Sequence, residues 1–299
     1  MTSPYDLSGV HVALTTPFDP VTGKVDHDAL MAHTDWLIQQ GIDGVVPNGS
    51  LGEYESLDRD ERRAVVETVA GVASDRAKLI VGVSGPNWRV ASDHAEHAAE
   101  LGATAVMLLP PTNHLPTREE LKDHYTSVAQ CDLPIIVYNN PFSTRIDLTP
   151  EIIADLAEIE GVSAVKEFSG DVRRLSAIHE LAPLLQLLCG ADDLALESAL
   201  MGATGWIGGF TGALPVETKR LFELGMAGDL EKALPLYRSL LPLFRWDTGP
   251  RFVEAIKYTI DLLELRGGGP PRPPRRVLEG EDQMLVQRQL ELARTADRS

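Results

Sequence analysis

Eight times between Val10 and Ala227 a short apolar run gives way to a longer amphipathic stretch. No other feature limits the possible folds so strongly. The runs cover residues 10–15, 44–47, 78–82, 105–109, 134–138, 162–166, 185–189 and 205–208. They are rich in β-branched residues and continuously apolar, the pattern of parallel strands covered on both faces. Helical spacing follows each of them, over residues 26–40, 58–73, 89–101, 118–131, 149–159, 171–181, 193–201 and 215–227. Gly41, Gly102, Gly161 and Gly202 stand just after predicted helices, where a C-terminal cap needs positive φ. Eight strand–helix units fit one (β/α)₈ TIM barrel of the α/β class. A doubly wound sheet is the alternative.

After Ala227 the strands stop. Residues 229–244, 251–265 and 281–296 read as helices, and the Gly/Pro-rich segment 267–274 cannot be helical. Three helices are too few to enclose a core. The expected division is a barrel over residues 1–228 and a C-terminal helical extension over 229–299 packed on it.

Charge narrows the function classes. With 27 basic and 44 acidic side chains, the formal net charge is −17. That balance repels nucleic-acid phosphates and anionic membrane surfaces. No run approaches the ~18 apolar residues of a membrane span. The first nine residues lack a charged segment leading into an apolar core, so a cytoplasmic protein is expected. Cys131 and Cys189 make no disulfide framework, which suits a reducing compartment.

In such a barrel, chemistry sits at the C-terminal ends of the strands. Lys166 closes the sixth run, where an apolar side chain is the ordinary choice. Burial there disfavours the ammonium form and leaves an amine able to attack a carbonyl. The plainer reading is a lysine that reaches the rim or pairs with Glu167. Tyr138 ends the preceding strand, and its phenol could move protons beside that amine; otherwise it is a half-buried tyrosine with a hydrogen-bonded tip. Gly49-Ser50-Leu51-Gly52 could aim N–H groups and a hydroxyl at a carboxylate, or be a plain turn. Gly208-Gly209 closes strand eight. His94 and His97 read as solvated helix surface in preference to a metal site. Asp192-Asp193 reads as a helix N-cap, and Arg272, Arg275 and Arg276 as a subunit or surface contact.

Taken together, four motifs carry a resemblance. They are Gly49-Ser50-Leu51-Gly52-Glu53, Tyr138-Asn139-Asn140-Pro141, Val165 through Asp171, and Gly190-Ala191-Asp192-Asp193, in this order and on the expected strands. The chain resembles the dihydrodipicolinate synthase / N-acetylneuraminate lyase family of class I aldolases, from Thr16-Pro17-Phe18 to at least Tyr258. The resemblance implies a TIM barrel with a helical extension, assembled as a homotetramer. It implies a Schiff base between Lys166 and C2 of a 2-oxo acid, with Tyr138 as the acid/base group. Ser50 and the Leu51 amide would hold the substrate carboxylate, with Gly49, Gly208 and nearby backbone lining the same pocket. No metal or organic cofactor is implied.

Departures narrow the substrate. The synthase carries threonine where this chain has Leu51. Its inter-subunit tyrosine falls in the stretch Pro110-Pro111-Thr112-Asn113, which has no phenol. Its carboxylate-binding arginine falls on Ser143, with Arg145 displaced by two positions. Arg173-Arg174, the run Asp192 to Glu197 and Trp246-Asp247-Thr248 look most like bacterial deaminases acting on 1-pyrroline-4-hydroxy-2-carboxylate. The expected activity is therefore dehydration with ammonia release from that cyclic imine. The alternatives are a pyruvate-dependent aldolase or sugar-acid dehydratase, a 4-hydroxy-tetrahydrodipicolinate synthase, and a non-catalytic protein that binds a 2-oxo acid.

Overall fold

In the computed structural model, which describes residues 5–111 and 113–295, the eight apolar runs pair side by side as parallel strands. Thr112, in the stretch without a phenol, and Ala296, the expected end of the last helix, lie outside the described residues. The strands are β1 (Gly9–Ala13), β2 (Gly44–Val46), β3 (Lys78–Gly82), β4 (Ala105–Leu108), β5 (Ile135–Asn139), β6 (Val162–Glu167), β7 (Gln186–Cys189) and β8 (Gly205–Gly208). Each pairs with the next, and β8 pairs with β1 through Gly9 to Val12, which closes the barrel. That last pairing excludes the doubly wound alternative.

Eight main helices surround the strands, as the amphipathic spacing predicts. They are α1 (His27–Gln39), α2 (Arg59–Ala73), α3 (Trp88–Glu100), α4 (Arg118–Val128), α6 (Pro150–Leu156), α7 (Arg173–Leu181), α8 (Ala195–Leu200) and α9 (Pro215–Met226). An unpredicted single turn, α5 (Pro141–Thr144), follows β5; Pro141 opens it and the Asn140 side chain caps it. Side-chain caps set several starts: Asp58 and Thr117 form capping boxes with Glu61 and Glu120. The four glycines expected at helix ends all have positive φ, between 73° and 96°.

Beyond the barrel lie α10 (Leu230–Phe244), α11 (Phe252–Leu262) and α12 (Gly280–Thr295). Helix α10 packs on α9 and α12. Leu278, Val286, Leu290 and Ala293 join the same continuous apolar core as the strands. A buried ion pair ties this region to the barrel: Lys257 Nζ donates to Glu53 Oε1 at 2.7 Å, with 1% and 2% of the side chains exposed. Glu53 Oε2 also accepts the N–H of Arg272.

His94 and His97 correct the surface expectation, since both are buried. Periodicity shows that a helix has a second face, but not that ring neighbours α2 and α4 cover much of it. His97 Nε2 sits 3.2 Å from Glu67 across the gap to α2. Among the described residues no group of three His, Cys, Asp or Glu is placed to hold a metal ion. No described helix is long and apolar enough to cross a membrane.

Buried histidines make the fold acid-sensitive. Burial lowers His11 and His33 to about 4 each. An unfolded histidine titrates near ~6.5. The native state therefore binds fewer protons below that pH, and stability present above it is lost as pH falls toward 4. For His33→Gln, unfolding free energy should depend less on pH than in the unsubstituted protein, by up to ~1.4 kcal/mol per pH unit between 6.5 and 4. Urea midpoints at stepped pH measure it; parallel slopes for the two proteins would refute it.

Candidate active site

The register of the barrel places Tyr138 of β5 directly beside Lys166 of β6. Side chains alternate along a strand, so Lys166 and Glu167 point to opposite sides. Glu167 accordingly makes no pair with Lys166. Its carboxylate accepts hydrogen bonds from Asn139 Nδ2 at 2.9 Å and from the N–H of Ser169 at 2.6 Å. Lys166 is 5% exposed and makes no ion pair with any described residue. Its Nζ stands 4.3 Å from the centroid of the Tyr138 ring and 5.8 Å from that of Phe168. Asn140 Nδ2 donates to the Tyr138 hydroxyl at 2.9 Å, which holds the phenol in place.

These groups face a cavity of ≈ 370 Å³ at the C-terminal mouth of the barrel. Of the six residues given a catalytic or substrate-binding role from sequence, Lys166, Tyr138, Gly49, Ser50 and Leu51 line it. The loop bearing Ser50 is laid across the end of β3, where Gly82 is required: a Cβ there would stand 2.2 Å from the carbonyl oxygen of Asn48. Neither the N–H groups of Ser50 and Leu51 nor the Ser50 hydroxyl donates to an acceptor among the described residues. Together they form a set of unoccupied donors facing the same space as the lysine, suited to an anion.

Gly208 does not line the cavity; Gly209 does. A Cβ on Gly208 would stand 2.5 Å from Asp192 Oδ1 and 2.6 Å from Trp206 Nε1, so Gly208 is the packing surface beneath the wall. Asp192 also corrects an expectation. It is fully buried and caps no helix of its own. Its carboxylate accepts from Trp206 Nε1 and from the N–H groups of Gly209 and Phe210, the last at 2.7 Å, so it fixes the turn after β8. The basic cluster is also turned inward: Arg272 forks onto Glu61 with two bonds of 2.7 Å, and Arg275 Nη1 lies 3.4 Å from Glu254. Only Arg276 of the three is exposed.

Five wall residues come from the C-terminal region: Asp247, Thr248, Gly249, Pro250 and Phe252. Periodicity carried no sign of them. Only the Trp246-Asp247-Thr248 motif drew attention to this stretch. Lys166 is the single cationic side chain among the lining residues; Ser143 lines the cavity and Arg145 does not.

Comparison with known proteins agrees with this geometry. The model of the dihydrodipicolinate synthetase family matches residues 6–293. A 4-hydroxy-tetrahydrodipicolinate synthase of Methanopyrus kandleri is 32% identical over 292 residues, 96% of each chain. One of Methanospirillum hungatei is 34% identical over 272 residues, 89% of this chain and 92% of its own. Among solved structures, a putative dihydrodipicolinate synthetase from Pseudomonas aeruginosa superposes with TM-score 0.91 at 31% identity, over 96% of this chain and 100% of that one. With the barrel, the paired lysine and tyrosine and the family match all in agreement, the chain belongs to the dihydrodipicolinate synthetase family.

Proposed function

We propose that this protein is a class I lyase that joins Lys166 to C2 of a 2-oxo acid as a Schiff base. The observation that carries this is the buried, unpaired Lys166 amine against the Tyr138 ring, in a cavity that also holds the free donors of Ser50 and Leu51. The donors suit the carboxylate of the 2-oxo acid and the amine suits the adjacent carbonyl. In its uncharged form the amine adds to C2, and Tyr138 relays the protons that turn the adduct into an iminium and water. The iminium draws electrons from C3, whose proton becomes acidic, and an enamine follows.

Two finer readings differ in what that enamine does. The relatives' printed names support condensation, the formation of 4-hydroxy-tetrahydrodipicolinate, better than they support a deaminase. At the C–C bond an enamine would make, that product divides into pyruvate and a four-carbon amino-acid semialdehyde. One observation favours the second reading, deamination of 1-pyrroline-4-hydroxy-2-carboxylate. The cavity offers no cation beyond Lys166 for a second carboxylate, with Leu51, Ser143 and Phe252 along its walls. The homotetramer is likewise proposed by analogy, and sedimentation velocity tests it.

A substrate panel separates these readings. Borohydride reduction with pyruvate is expected to leave a mass adduct on Lys166 under either one. Semialdehyde-dependent loss of pyruvate supports the synthase, and ammonia release from the cyclic imine supports the deaminase. Pyruvate release from 4-hydroxy-2-oxo acids supports an aldolase. Absence of both adduct and turnover defeats the enzymatic reading and leaves a binding protein.

A further inference from the structure

The Schiff-base cavity contains an acid that neither strand periodicity nor the lysine chemistry accounts for. Asp247 lies just past α10, 7% exposed, and lines the same cavity as Lys166 and Tyr138. Its Oδ2 accepts the N–H of Asp192 at 3.2 Å. Nothing among the described residues donates to its Oδ1. That oxygen borders cavity-lining Gly209, where a Cβ would stand 3.0 Å from it and 3.3 Å from Leu51 Cδ2.

Asp192 and Asp247 are neighbouring buried carboxyl groups, and two such groups do not both ionise readily. Their hydrogen bonds decide which one holds the proton. Three N–H donors converge on Asp192 and stabilise its carboxylate. Asp247 receives only one. Burial and the Asp192 charge both push Asp247 well above the ordinary carboxylate range. Since Oδ2 is engaged, the proton belongs on Oδ1, the oxygen beside Gly209.

We propose that Asp247 is the cavity's second proton donor, delivering its Oδ1 proton to the oxygen on C4 of the Schiff-base adduct. This rests on the Schiff-base reading but on neither finer one, because both place an oxygen at that atom. In condensation, the enamine C3 attacks the aldehyde carbon. The C=O π pair moves to oxygen, which takes the Asp247 proton and becomes a hydroxyl. In dehydration, the enamine nitrogen pair moves through C2–C3 toward C4. The C4–O bond breaks, and the leaving hydroxide takes the same proton as water. Either way Asp247 is left as a carboxylate and regains its proton from solvent after product leaves. Tyr138 serves the atoms at C2, so the two donors act on different centres.

Asp247→Asn tests this, since an amide still fills the space and hydrogen-bonds but has no proton to give. Pyruvate trapping on Lys166 by borohydride should match the unsubstituted protein, which also shows that the site is folded. Turnover of whichever panel substrate is accepted should fall at least 100-fold in kcat with KM within about threefold. Asp247→Glu should recover part of the rate. The charges that act on Asp247 are those of Asp192, Lys166 and Asp193, and Tyr138 lines the same cavity. For the unsubstituted protein kcat should fall at high pH as Asp247 ionises, and the Asn variant should lose that limb. Normal trapping with kcat within threefold of the unsubstituted protein overturns the Asp247 role alone, as does trapping with no turnover of any panel substrate by the unsubstituted protein. No adduct in the unsubstituted protein overturns the Schiff-base reading and this assignment with it.

Discussion

Lys166→Ala is expected to lower turnover by at least about 10⁴-fold, because the reaction loses its nucleophile and nothing else in the cavity can replace a primary amine. The pyruvate adduct should vanish from borohydride mass spectra at the same time. Stability should change little. Lys166 holds no ion-pair partner that its loss would strand, and its head lies in a cavity, not in packed core. Thermal melts of the variant should therefore stay near those of the unsubstituted protein. Activity within tenfold of normal would remove Lys166 from the chemistry.

Tyr138→Phe is expected to cost about 10²- to 10³-fold in kcat, the range of a lost general acid–base group. The ring would remain, so its edge-to-face contact with Phe168 and the aromatic face under Lys166 would persist. What disappears is the hydroxyl, and Asn140 Nδ2 loses its acceptor. The adduct with pyruvate should still form, but slowly. Rapid-quench borohydride trapping measures that rate directly; an unchanged trapping rate would mean that the phenol is not the proton relay at C2.

Much of this arrangement could be read from the chain because two periods carry it. Continuous apolar runs marked parallel strands, and a lysine ending such a run stood out. Strand order then brought Tyr138 next to it, since consecutive strands of a barrel are neighbours. Other features escaped because periodicity reports one element at a time. Gly208 and Gly209 differ by one position, and only the turn held by Asp192 decides which meets the cavity. The burial of His94 and His97 is not legible in their own helix, because their cover comes from adjacent helices. Asp247 carries no periodic signal, and the Trp246-Asp247-Thr248 motif does not say where it lies; its place in the cavity wall arises only when the end of α10 returns to the mouth of the barrel. The short helix α5 was hidden within a Pro-containing loop.

The Glu53–Lys257 pair has a consequence for anyone who would re-engineer this enzyme. Glu53 shares the loop 47–53 with the cavity-lining Ser50 and Leu51, and its counterion stands in α11. A shortened chain that ends after α9 would remove both partners of the Glu53 carboxylate, Lys257 and the N–H of Arg272, and with them the contacts that pin the end of the Ser50 loop. Chimeras that swap the last helices between relatives therefore need to inherit both ends of this clasp from one parent.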